Sequence, residues 1–208
     1  QVAWRAVIPG DGDPVADIFM GPGRHLVSYP LKDGRRNIVA VEERDAWAED
    51  GWHHEDNPAL LRLAFEDFGG PVPGWLKAVD KVWLWGLMDY RVAKTWHDGR
   101  MVIMGDAAHP TLPFLAQGAN MALEDAWVLA RALENHDPLD AMKAYEATRR
   151  PRVQKVLAAA DRSGANYHMS NPVLRRTAQT VLKIAEGVRR GSALSRYKWL
   201  WGHDVTKG

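Results

Sequence analysis

Met101-Val102-Ile103-Met104-Gly105-Asp106-Ala107-Ala108-His109-Pro110 is the passage on which the reading of this chain turns. Four apolar residues read as a short buried strand that ends on a Gly-Asp corner. A loop with Pro110, Pro113 and the pair Gln117-Gly118 follows, and a long helix is predicted from about Asn120. Such a strand–loop–helix passage sets a carboxylate, backbone N–H groups and a helix N-terminus side by side. An aspartate leaving a strand can accept hydrogen bonds from sugar hydroxyls, and burial against backbone donors would keep it ionised. The first N–H groups of a helix have no intrahelical acceptor. With the helix dipole they favour an anion or a polarised carbonyl, by roughly 0.3–1 kcal/mol. Small residues at Ala116, Gly118 and Ala119 would let a flat ring approach the backbone. The residues alone leave two readings open. One is a site for a ligand with a ribose and an electron-rich ring; the other is a loop that Asp106 merely caps.

Upstream of this passage the chain reads mainly as strands. Val2–Ile8 is apolar-rich and stops at the turn cluster Pro9-Gly10-Asp11-Gly12. Arg24–Leu31 and Asn37–Glu43 form a predicted hairpin through Lys32-Asp33-Gly34, and Ile38–Val41 is apolar enough to be covered on both faces. Asn57-Pro58 is a helix start, with Asn57 as cap and Pro58 at the first helical position. Leu60, Leu61, Ala64, Phe65 and Phe68 then recur at helical spacing until Gly69-Gly70-Pro71. Val82–Trp85 and Val92–Trp96 are two further expected strands. Downstream the chain is helical: Met121–Leu133, apolar around most of its circumference; Leu139–Ala160, which Pro151 should kink or divide; and about Pro172 to Val188.

Composition narrows the class. The 208 residues are 46% hydrophobic and 25% charged, which fits a globular protein with a sizeable core. A net charge of +1 gives no electrostatic reason to expect nucleic acid or a membrane surface as partner. No run reaches the ~18 apolar residues of a membrane span. The absence of cysteine removes disulfides, thiolate metal sites and a cysteine nucleophile, and fits a cytoplasmic protein.

Gly105-Asp106-Ala107-Ala108-His109-Pro110, with Ala116-Gln117-Gly118-Ala119-Asn120 and Leu123-Glu124-Asp125-Ala126, resembles the second flavin motif of single-component aromatic hydroxylases. These are FAD-dependent monooxygenases of the salicylate hydroxylase and 6-hydroxynicotinate hydroxylase type. Gly21-Pro22-Gly23-Arg24-His25 through Tyr29-Pro30 is similar to their substrate-domain strand, so the likeness extends over nearly the whole chain. The resemblance implies an α+β fold. Residues 1–97 would be most of a mixed substrate-binding sheet with a packed helix. Residues 98–160 would be a strand and helices from the C-terminal part of a Rossmann-like FAD/NAD(P)-binding domain, and residues 161–208 a helical tail.

The resemblance also assigns roles. Gly105 and Asp106 would form the flavin corner, with Asp106 on the ribityl or ribose hydroxyls. The N–H groups of Ala119 and Asn120 would face the pyrimidine end of the flavin ring, and Gln117 and Gly118 would shape the loop. Pro113 would lie beside the ring, near where a flavin hydroperoxide forms. NAD(P)H would reduce FAD, O2 would add to it, and oxygen would pass to a small phenolic or carboxylated aromatic. His25 and Tyr29, four apart on one strand, share a face and would bind that substrate. The alternative for them is a half-buried strand whose polar groups satisfy their neighbours. His109 is expected to pack beside the cofactor, and Glu124 and Asp125 to suit the helix dipole. Arg149-Arg150-Pro151-Arg152 reads as a basic helix face making surface ion pairs. His53-His54 reads as a solvated loop, because adjacent residues point apart and no third metal ligand is suitably spaced.

No Gly-x-Gly-x-x-Gly fingerprint opens a βαβ unit in this sequence. The chain is therefore expected to begin in mid-fold, lacking roughly the first 150 residues of a family member, about one domain. Alone it should bind FAD weakly or not at all. Three functions stay open: the C-terminal portion of an aromatic-ring monooxygenase, a non-catalytic fragment whose partner supplies the missing half, or a flavin enzyme of the same fold with a non-hydroxylating reaction. A second copy of the chain is the other expected partner.

Overall fold

The computed structural model describes residues 1–44, 54–88, 91–188 and 191–207. These residues divide into two compact units, one of residues 1–88 with 166–172 and the other of residues 89–165 with 173–208. The architecture is α+β, as expected.

The first unit is a six-stranded sheet of β1 (Val2–Pro9), β2 (Asp17–Gly21), β3 (Arg24–Leu31), β4 (Arg35–Glu42), β5 (His54–Asp56) and β6 (Val82–Gly86). The spatial order is β2-β3-β4-β1-β6-β5, and every ladder is antiparallel. β3 turns into β4 through Asp33 and Gly34, both at positive φ, which Asp tolerates and Gly prefers. Strand alternation sends Val2, Trp4, Ala6, Ile8, Leu26, Ile38 and Ala40 to one face, all buried. Two helices cover that face, α1 (Pro58–Ala64) and α2 (Val72–Lys77), where the sequence predicted one. Asn57 caps α1 as expected, its side chain accepting from the Ala59 N–H at 2.9 Å with Pro58 at the first position. Arg62 of α1 donates to the carbonyls of Leu76 and Val79, which ties the two helices together.

The opposite face of the sheet is the one that carries His25, Val27 and Tyr29. β3 register places His25 opposite Val41 and Tyr29 opposite Asn37, so Asn37 and Val41 share that face. Three short elements were invisible in the sequence, namely β2, β5 and α2.

The second unit holds a two-residue hairpin, β7 (His97–Asp98) with β8 (Met101–Val102), followed by α3 (Gly118–Asn135), α5 (Pro172–Val188), α6 (Ser192–Ser195) and α7 (Lys198–Trp201). α4 (Pro138–Tyr167) also lies in it up to Ala165. Its core gathers Trp96, Ala108, Met121, Ala141, Tyr145, Val153, Val156 and Leu200. Three expectations, for two strands and for the burial of α3, are corrected here. The strand of Met101–Met104 shrinks to Met101–Val102, with Met101 exposed, because its pairing partner is only two residues long.

Val92–Trp96 forms no strand: its backbone groups bond to side chains of α4 and, singly, to the backbone of Ala108 and Ile103. The Trp96 N–H donates to Glu146 at 2.8 Å, and Arg150 donates to the carbonyls of Ala93 and Lys94. α4 continues as helix across Pro151, clamped on both sides by the buried residues Tyr145, Arg149, Val153 and Val156. α3 is buried on one stripe only (Met121, Asp125, Ala132), and Leu123, Trp127 and Leu133 are exposed rather than buried all round.

Candidate functional site

The Gly-Asp corner is built around a buried carboxylate on α3. Asp125 accepts from the backbone N–H of Gly105 at 2.9 Å and pairs with His109 Nε2 at 2.5 Å through the same oxygen. Its other oxygen accepts from Arg149 Nε at 2.7 Å. Arg149 reaches Glu124 at 2.7 Å, and Arg152 closes the network on Glu124 at 2.6 Å. Burial pushes the Asp125 carboxyl upward, but hydrogen bonds from His109, Arg149 and Gly105 outweigh it and leave it below the usual carboxylate range. The same balance, with Arg152 and Arg149 as donors, lowers Glu124.

This corrects two sequence readings. Arg149 is a buried ion-pair partner and not part of a surface basic face. Glu124 and Asp125 do more than suit the helix dipole, since they hold the loop that precedes their own helix.

That loop has defined geometry. Gly105 sits at φ +56°, and a Cβ there would lie 3.2 Å from the Ala122 Cβ, so the corner needs glycine for both conformation and space. Asp106 falls in a 3₁₀ turn (Gly105–Ala107) with its side chain exposed, not buried against backbone donors as expected. Pro113 opens a second 3₁₀ turn (Pro113–Leu115) and is also exposed. Ala116 then takes left-handed φ +52°, a conformation that costs a non-glycine residue of order 1 kcal/mol and clusters at functional loops. Gln117 is buried, and its amide donates to the Leu115 carbonyl at 3.2 Å.

Gly118, Ala119 and Asn120 form the first turn of α3, with Ala119 and Asn120 exposed. A Cβ on Gly118 would stand 3.4 Å from Thr111 Cγ2 and 4.0 Å from Asp106 Oδ1. The fold thus brings Gly105, Asp106 and Gly118 together at the mouth of α3, with Pro113 and Gln117 in the connecting loop.

This arrangement fits one end of a flavin dinucleotide. The exposed Asp106 carboxylate can accept from hydroxyls, and the first N–H groups of α3 have no helical acceptor. Without a Cβ at Gly118, a ligand could approach the backbone of that turn closely. Bound there, FAD would supply two-electron redox chemistry that no side chain offers.

His25 and Tyr29 lie in the first unit. Tyr29 is half-buried on the face of β3 opposite the two helices, and His25 is 2% exposed. His25 Nδ1 meets His168 Nε2 at 2.6 Å, and His168 Nδ1 meets Glu43 Oε1 at 2.7 Å. Burial, and secondarily the neighbouring His168, push the His25 imidazole down to about 3. Across from Tyr29, Asn37 is buried with its amide nitrogen lacking a hydrogen-bond partner. His168, Glu43 and Asn37 were missed by sequence reasoning. No local signal marks them, and His168 lies 143 residues from His25.

His54 sits in β5 rather than a loop, and His53 lies outside the described residues. Among the described residues no group of three or more His, Asp or Glu could hold a metal ion. None of the described helices is long and apolar enough to cross a membrane.

Comparison with known proteins identifies the family. Residues 28–160, more than half of the chain, match the family described as FAD binding domain. The chain belongs to that family. Within this FAD binding domain family, it is 33% identical over 195 residues to a 3-amino-4-hydroxybenzoate 2-monooxygenase of Streptomyces platensis, covering 92% of this chain and 48% of that protein. It is 30% identical over 203 residues to a salicylate hydroxylase of Pseudomonas putida, covering 92% and 45%. The solved structure of a salicylate hydroxylase substrate complex superposes with a TM-score of 0.81 at 25% identity, covering 99% of this chain and 55% of that one. This FAD binding domain chain spans about half the length of the curated relatives it matches.

Proposed function

We propose that this chain supplies the substrate-binding sheet and the ring end of the flavin site of an FAD-dependent monooxygenase. That enzyme would hydroxylate a small phenolic or carboxylated aromatic with NAD(P)H and O2. The single observation that carries this reading is the Asp125-anchored corner, which sets Asp106 beside the first turn of α3 in a chain of the FAD binding domain family. The domain roles follow from it. Residues 1–97 would serve substrate, residues 98–160 the flavin, and residues 161–208 would complete the helical packing.

Each residue has work its chemistry allows. Gly105 and Asp106 present a carboxylate to the ribityl or ribose hydroxyls. The Ala119 and Asn120 N–H groups offer donors and a positive dipole end to the ring carbonyls, where reduced flavin carries charge. Pro113, rigid and without an N–H, presents an apolar wall beside the ring, and Gln117 holds the loop through Leu115. Tyr29 supplies a phenolic donor and His25 a neutral imidazole, matched to a substrate hydroxyl or carboxylate. A cysteine-free chain of this kind suits a cytoplasmic enzyme.

The test is to purify the chain, and the longest gene product containing it, and measure flavin absorbance and NAD(P)H oxidation. Hydroxylated benzoates would be the substrate panel. Stoichiometric FAD and aromatic-stimulated NAD(P)H oxidation with a hydroxylated product are expected from the longer product. A protein that binds no FAD, alone or with a co-purifying partner, would replace this reading with the non-catalytic one.

A further inference from the structure

Gly164 is buried near the end of α4, at the point where an aromatic ring presses on the helix. A Cβ built there would stand 2.5, 2.8 and 3.0 Å from Cε2, Cδ2 and Cζ of Phe114. Carbon atoms in contact rest about 3.5–4.0 Å apart, so any side chain at this position must displace the ring. Phe114 is 7% exposed and is the middle residue of the 3₁₀ turn Pro113–Leu115. We propose that Gly164 is a positioning residue for the flavin loop: by admitting Phe114 against the backbone of α4, it sets where Pro113 stands. The proposal rests on the functional reading above for the identity of the ligand. The seating of the loop rests only on the contact of Gly164 with Phe114.

Glycine is a costly choice here. Alanine would favour a helix interior by about 1 kcal/mol. Gly164 is not among the glycines at positive φ, so its backbone conformation does not call for the residue. Close approach of the Phe114 ring is the physical reason that remains.

Both sides of this contact are held. Ser163, the neighbour of Gly164, is 1% exposed and donates its one proton to the Ala159 carbonyl at 3.0 Å. It therefore accepts from the Tyr197 hydroxyl at 2.8 Å, which ties this turn of α4 to the C-terminal segment. On the loop, the Ala116 N–H donates back to the Pro113 carbonyl at 3.1 Å, and Gln117 holds the Leu115 carbonyl. Proline has no free φ with which to absorb a shift, so a displaced Phe114 carries Pro113 with it. One methyl at Gly164 would move that wall by roughly 1 Å, a misplacement that can cost about 100-fold in rate.

Two substitutions test the role. Gly164→Ala adds, and Phe114→Leu removes, roughly one methyl group of volume, so the double protein conserves it. In the chain without flavin, the Ala116 amide should exchange its hydrogen about tenfold faster in Gly164→Ala, and at the wild-type rate in the double protein. The flavin-loaded longest product would be assayed with salicylate and 3-hydroxybenzoate as probes. There Gly164→Ala should form at most about a tenth of the hydroxylated product per NAD(P)H oxidised and bind FAD about tenfold more weakly. The double protein should recover both. Phe114→Leu alone leaves α4 intact and loosens the contact, so it should lower the same two quantities, and it carries the test if Gly164→Ala does not fold. Wild-type product ratio and FAD affinity in the single substitution that folds would overturn the positioning role, as would equal losses in the single and double proteins. Exchange as expected in a product that binds FAD yet hydroxylates neither probe would instead sink the functional reading and leave the seating of the loop standing.

Discussion

Asp125, fully buried on α3, accepts a hydrogen bond from the backbone N–H of Gly105, a residue that precedes it by 20 positions. One carboxylate thus fixes the corner that ends β8 to the helix whose N-terminus the corner faces. Arg149 supplies the countercharge from α4, so three segments meet on one side chain. The corner is positioned by the core, and Asp106 remains exposed for a ligand.

Removing that carboxylate should be costly. Asp125→Ala leaves Arg149 buried with Glu124 as its remaining carboxylate partner, and breaking a buried pair from one side costs about 3–5 kcal/mol. The double substitution Asp125→Leu with Arg149→Met removes both charges and should cost less than the single one. Urea unfolding of the three proteins checks the order; a single substitution costing under about 1 kcal/mol would refute the anchoring role.

Gly105 and Gly118 should respond in opposite ways to alanine. At Gly105 a Cβ meets Ala122 at 3.2 Å and φ is +56°, so Gly105→Ala should lose about 1–3 kcal/mol of stability. Gly118 has ordinary φ and stands in the first turn of α3. Gly118→Ala should leave stability unchanged or raise it by up to about 1 kcal/mol. The new methyl would occupy the space left for the ring, weakening FAD binding by about tenfold or more. Thermal melts and FAD titration separate the two effects.

Asp106 tests the ligand role without a folding penalty. Its side chain is exposed, so Asp106→Ala should change stability by no more than about 0.5 kcal/mol. A hydrogen bond to a charged group is worth about 1.5–3 kcal/mol, so FAD affinity should fall roughly 10- to 150-fold. Equal affinity would return Asp106 to a loop cap.

What the sequence reveals is local, and what it hides is distant. Asn57-Pro58 and Asp33-Gly34 declare a helix start and a turn because cap and positive-φ chemistry act within four residues. The Gly-Asp corner and the loop to α3 are legible for the same reason. Arg149 read as surface charge because its partners Glu124 and Asp125 are brought to it only by packing of α3 against α4. Val92–Trp96 read as a strand because its apolar pattern does not reveal that Glu146 and Arg150 satisfy its backbone. His25 was found by its spacing to Tyr29, but nothing near it announces His168.

Acid should act through His25. Its folded value, about 3, lies below the ordinary 6.5, so between those limits the unfolded chain binds the proton and the folded chain does not. The contribution is therefore fully present above pH 6.5 and is lost as pH falls toward 3, with a slope of up to about 1.4 kcal/mol per pH unit. The groups around His25 include, among the described residues, His168, Glu43 beyond it, and the Tyr167 ring at 5.3 Å. Asp125 and Glu124, both held below the usual carboxylate range, add acid lability only at lower pH. Stability measured by urea unfolding from pH 7.5 to pH 4.5 (about three units) should fall in the wild-type chain. In His25→Asn the slope should drop by nearly one proton, since asparagine does not titrate and can hydrogen-bond His168 in either direction. An unchanged slope would mean that His25 is charged in the folded protein.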